Sequence, residues 1–92
     1  MLRFSLRLPE SASLKDKRQV VRSVAQRLRN KFQVAVAEVA DNDAWQIATF
    51  GVACVANDAH HCQDVLRQIV SFVEGSRLDA EVFDVDTEIL SL

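Results

Sequence analysis

Residues that punctuate or staple a chain are scarce here: two glycines, one proline, two cysteines and no tyrosine among 92 residues. That scarcity excludes a Gly/Pro-rich linker, a low-complexity segment and a glycine-rich phosphate loop, and no internal repeat is present, so residues 1–92 read as one domain. Cys54 and Cys62 cannot build a disulfide framework, and both suit reduced core positions. No uninterrupted apolar run is long enough to cross a bilayer, and Met1 to Arg7 lacks the apolar stretch of a signal peptide. The expectation is a cytoplasmic protein with no membrane partner. GxSxG, P-loop, CxxC and HExxH patterns are all missing, and no cysteine has an evident histidine partner. We therefore expect no catalytic residue, no metal and no cofactor.

Apolar residues are plentiful, at 49%, beside 26% charged, the balance of a folded globular domain. The net charge of −2 gives the whole molecule no general attraction to nucleic acid, and no pattern here reads DNA sequence. The charge is unevenly placed. Ser13 to Phe32 holds seven bases and one acid, a local +6 that leaves −8 for the remainder. Such a dipolar layout can steer a polyanion to one side or pair copies head to tail.

That basic stretch is also the clearest helix. Ser13 can cap free backbone N–H groups, and Asp16 follows three residues later at the positive end of the helix dipole. Leu14, Val21, Val24, Ala25, Leu28 and Phe32 recur at spacings of three, four and seven, which marks one apolar face. Along one flank of it fall Lys15, Arg18, Arg22 and Arg29, a basic stripe. Lys17 points instead toward the apolar side, where an ammonium must snorkel out or meet an acid.

Leu2, Phe4, Leu6 and Leu8 alternate with Arg3, Ser5 and Arg7, the signature of a half-buried strand that Pro9 ends. Gln33 to Val39 reads as a second strand, Asp41-Asn42-Asp43 as a turn, and Trp45 to Ala56 as a third strand. Asn57-Asp58 offers another helix cap. Cys62, Val65, Leu66, Ile69, Val70, Phe72 and Val73 follow at helical spacing, with Gly75 as the stop. A last strand is predicted from about Glu81 to Leu90, with Phe83, Val85 and Ile89 alternating with Asp84, Asp86 and Glu88.

The order βαββαβ, with right-handed crossovers, predicts an α+β ferredoxin-like sandwich: a four-stranded antiparallel sheet with both helices on one face. The last strand then pairs with the first, which sets Arg3 and Arg7 against Asp84, Asp86 and Glu88 as ion pairs on the helix-free face. If Val39 lies opposite Trp45, then Val34, Val36, Glu38, Gln46, Ala48, Phe50, Val52 and Cys54 share one face, assigned to the core. Ala35, Ala37, Val39, Trp45, Ile47, Thr49 and Gly51 share the other. No further layer covers that second set, and an uncovered apolar patch marks an interaction surface. A homo-oligomer, most simply a two-fold dimer, is expected through Ala35, Ala37, Val39, Trp45, Ile47 and Thr49 or through the edge of the second strand.

Ser13-Leu-Lys-Asp-Lys-Arg18, Lys31-Phe-Gln-Val-Ala-Val-Ala-Glu-Val39, Trp45-Gln46, Gly51-Val-Ala53 and Asn57-Asp58 together resemble the YlxP-like family of small bacterial proteins, a domain of unknown function. The likeness covers nearly the whole chain in the family's order. It implies a ferredoxin-like fold and no established activity. Family genes often neighbour genes for translation initiation and ribosome maturation, which implies work on RNA or the ribosome.

Three places invite a functional reading. Glu38 points inward at the end where the first helix starts, so Lys17 or Arg18 can reach it, as a structural ion pair or as a ligand-holding or enzymic site. The stripe of Lys15, Arg18, Arg22 and Arg29 can contact RNA phosphates, or it is an ordinary solvated face. No aromatics are interleaved with it, so such binding would be led by the backbone and weakly specific. Trp45 either packs at an interface or hairpin end or serves as an aromatic platform. His60, His61 and Cys62 point about 100° apart on a helix and cannot converge on one metal ion. The leading expectation is a non-catalytic self-associating domain that touches RNA or the ribosome. The alternatives are a small-ligand regulatory domain with its site between subunits, and an enzyme using Lys17, Arg18 and Glu38.

Overall fold

The computed structural model describes residues 1–76 and 80–90. Its elements are β1 (Leu2–Arg7), α1 (Leu14–Phe32), β2 (Ala35–Ala40), β3 (Ile47–Ala53), α2 (Ala59–Ser76) and β4 (Glu81–Thr87). The strands form one antiparallel sheet in the order β2-β3-β1-β4, with β2 and β4 at its edges. This is the ferredoxin-like sandwich.

Each helix begins where its polar residues satisfy it. The Ser13 hydroxyl accepts from Asp16 N at 3.1 Å, while the Asp16 carboxylate accepts from Ala12 N at 3.1 Å. α1 closes on Gln33 in the left-handed conformation (φ 53°), whose N–H reaches Arg29 O. Asp58 opens α2 by accepting from His60 N at 2.9 Å. Gly75 does not stop α2. The helix continues through it to Ser76, and no glycine takes a positive φ.

One cluster makes the core. Leu2, Phe4 and Leu6 of β1 meet Val36, Ala48, Phe50 and Val52, under Val24, Ala25 and Leu28 of α1 and Leu66, Ile69 and Val73 of α2. Phe4 and Phe50 are direct cross-strand partners whose rings stack at 5.2 Å. Each fully buried aliphatic or aromatic side chain here contributes roughly 1.5–3 kcal/mol of transfer free energy. No described helix is long and apolar enough to cross a membrane.

Two bulges separate the sheet from the expected pairing. β2 and β3 pair as Val36↔Val52 and Glu38↔Phe50, then shift register so that Ala40 faces Thr49. Val39 is therefore the bulged residue rather than the partner of Trp45, which lies outside β3 in the connecting turn. The true register differs from the expected one by four residues, an even number, so the division into core and open faces survives. In β4 the shift falls at Asp84, which takes a left-handed conformation (φ 52°). That extra residue sends Phe83 and Val85 to opposite faces, where strict alternation had placed them together.

Candidate functional site

Of the residues singled out by the sequence, Lys17 and Glu38 meet where α1 begins and β2 ends. Lys17 faces the core and is only 1% exposed. Its ammonium lies 2.7 Å from Glu38 Oε2 and donates to the main-chain carbonyl of Asp41. The approach to Oε2 is too oblique for a hydrogen bond, and that oxygen accepts no other donor among the described residues. Of the two bases in reach, then, Lys17 takes the acid, and Arg18 stays exposed in solvent. The contact joins α1 to β2 and to the turn after it.

Asp41 has a second function on the other side of the sheet. It adopts φ 59°, a conformation that aspartate tolerates better than most residues. Its carboxylate accepts from Thr49 Oγ1 at 2.7 Å, and Thr49 Oγ1 lies 2.8 Å from Ser5 Oγ. Because the Thr49 proton goes to the carboxylate, Ser5 is the donor in the second bond. Thr49 is 1% exposed and Ser5 is 6% exposed. Thr49 is thus a sealed position rather than a contact residue of the open face.

The turn that follows is pinned on both sides of Trp45. Ala44 N donates to Asp41 O at 3.0 Å and Leu8 N to Gln46 O at 2.7 Å. The Gln46 amide reaches Pro9 O at 3.3 Å and Ser11 O at 3.4 Å, so Gln46 serves the loop before α1 rather than the core. Trp45 remains 55% exposed.

Along α1, Arg29 of the basic flank reaches the β2 edge. Arg29 Nη2 donates to Val36 O at 2.7 Å, covering a carbonyl that an edge strand leaves bare. Lys31 sits 4.9 Å from the Phe72 ring. Among the described residues, Lys15, Arg18, Arg22 and Arg27 are exposed with no carboxylate at ion-pair distance.

On the open face, Ala35, Ala37 and Val39 are exposed and Ile47 is half-buried. Val39 leans over Gly51, where an added Cβ would stand 2.9 Å from Val39 Cγ1 and force that side chain to shift. The β1–β4 half is polar, and its pairing differs from expectation. Arg7 meets Glu81 at 3.2 Å and stacks 4.6 Å from the centre of the Phe83 ring. Asp84, Asp86 and Glu88 form no ion pair with Arg3 or Arg7 among the described residues. The bulge at Asp84 accounts for this, because it sets Arg7 directly opposite Glu81. Arg3 faces Asp86 across the ladder without reaching ion-pair distance.

Two features lie away from this end. Cys62 is buried with its thiol 3.8 Å from Cys54 O, and burial, then the neighbouring Cys62, pushes the Cys54 thiol pKa up, which keeps it protonated and a poor nucleophile at neutral pH. His60 and His61 are exposed, and among the described residues no three potential ligands gather for a metal. A shallow groove of about 440 Å³ runs between α2 and β4 over Leu66, Val70 and Val85, with Arg67, Ser71 and Thr87 at its rim. Nothing in the sequence pattern marked it, because the bulge that turns Val85 toward α2 has no compositional sign.

The molecule is thus a ferredoxin-like domain with a locked charge pair at one end, a basic flank and a partly apolar open sheet face. It belongs to the family described as "Protein of unknown function (DUF503)", which matches residues 1–87. The chain is similar to the "Uncharacterized protein YlxP" of Bacillus subtilis (strain 168), with 32% identity over 66 residues, 72% of each chain.

Proposed function

We propose that this domain is a non-catalytic binding module, contacting RNA phosphates, alone or on the ribosome, through Lys15, Arg18, Arg22 and Arg29 and associating with a second copy through Ala35, Ala37, Val39 and Ile47. The observation that carries the reading is the α1 flank itself. None of its four cations has an acidic partner among the described residues, in a molecule whose net charge is −2. Arg29 spends one donor on Val36 O and keeps the rest of its fork for an oxyanion. Lys17 and Glu38 are engaged with each other in the core, which argues for a structural rather than an enzymic use.

Titrating RNA against the full chain at increasing salt tests the RNA contact. Binding should weaken steeply with salt, and replacing Lys15, Arg18 and Arg22 together by glutamine should lower the slope of log K against log salt by about 2, at roughly 0.7 per phosphate contact on a single strand. Affinity indifferent to salt removes the reading. Sedimentation tests the second half, where a monomer at tens of micromolar excludes the self-association. A small-ligand regulatory role is the second reading, favoured by the α2–β4 groove, whose volume falls in the range of ligand pockets. A thermal-shift response to one metabolite in a panel separates it from the first.

A further inference from the structure

We infer that Trp45 is a stacking platform for one unpaired base of the RNA whose phosphates run along α1. The inference rests on the phosphate-binding reading above and adds what that reading lacked, an aromatic surface on a turn tied to the loop that leads into α1. The indole is 55% exposed, and no other ring or cation of the described residues packs on it. It is nonetheless held firmly. Its two neighbours are fixed by the Ala44–Asp41 and Leu8–Gln46 bonds, and Asp41 is itself held by the buried ammonium of Lys17. An aromatic side chain presented to solvent on an immobilised turn loses little entropy when a planar group lands on it.

Its placement selects the partner. Gln46 binds Ser11 O, two residues before the α1 cap, so the turn carrying the indole is tied directly to the loop that leads into Lys15 and Arg18. Asp43 and Glu10 are exposed on these same two loops and repel phosphate there. A strand bound here keeps its backbone on the helix and offers only a base to the loop. Base–aromatic stacking tolerates any base, so the mode remains weakly sequence-specific but discriminates single strands from duplex.

Trp45 is the one tryptophan and there is no tyrosine, so the intrinsic emission of the full chain reports this residue alone. An unstructured oligouridylate of about 12 nucleotides, within the usual footprint of such platforms, should quench that emission as it binds. An RNA duplex should bind with a salt dependence at least as steep and leave the emission unchanged. Trp45→Leu, which keeps apolar bulk and loses the π-face, should weaken single-strand binding about tenfold or more, while Trp45→Phe retains most of it, both without loss of thermal stability. Single-strand binding with unaltered emission overturns the platform and leaves the phosphate reading intact. No binding of either RNA at low salt overturns both. A blue shift that grows with protein concentration alone assigns the indole to a protein–protein contact and overturns the platform.

Discussion

The α1–β2 half and the α2–β4 half of this sandwich solve the same packing problem with different chemistry. In the first half, a helix capped at both ends is bound to its strand by a buried ion pair and by Arg29 on the strand's outer edge. In the second half, α2 has no acid in its first turn and no base in its last, β4 is interrupted at Asp84, and a groove remains between the two. The first half contains most of the residues that resemble the family's pattern. Polar contacts that converge from several elements fix geometry as well as stability, and among the described residues the α1–β2 end has them.

The sharpest way to break this comparison is Lys17→Met. It strands the Glu38 carboxylate and should cost about 3–5 kcal/mol in denaturant unfolding, a large share of the roughly 5–15 kcal/mol that holds a domain of this size. Adding Glu38→Gln should restore part of the loss, because the orphaned charge rather than the lost contact dominates. Thr49→Val comes next. It leaves the buried Ser5 hydroxyl without its acceptor and should cost about 1–2 kcal/mol in the same measurement, with the fold retained by circular dichroism. At the groove, Arg67→Ala removes an exposed cation paired with Asp64 at 3.8 Å and should change stability by less than about 0.5 kcal/mol. If Lys17→Met costs no more than Arg67→Ala, the two halves are not distinguished by their polar ties.

Much of the fold could be read from residue spacing. The two amphipathic helices, their starts at Ser13 and Asp58, and the core face of the sheet follow from periodicity and capping chemistry that act within a few residues. Glu38 was legible as an inward acid because parity along β2 places it with Val34 and Val36. The misread features depend on partners distant in sequence. Trp45 has strand propensity, yet it follows the turn closed by the bond from Ala44 N to Asp41 O and lies outside β3. The bulges at Val39 and Asp84 change which residue faces which, and neither site carries a glycine or proline to announce it. For that reason Arg7 pairs with Glu81, and Phe83 stands with Arg7 instead of beside Val85.

Asp41 belongs to both sides of the sheet at once: its carbonyl holds the ammonium among the helices, and its carboxylate holds the hydroxyls beneath. A visitor on the underside that draws this carboxylate away from Thr49 also tugs on the anchor of Lys17. Occupancy below and resistance to unfolding above then become two readings of a single coupling free energy, each obliged to change the other by the same amount.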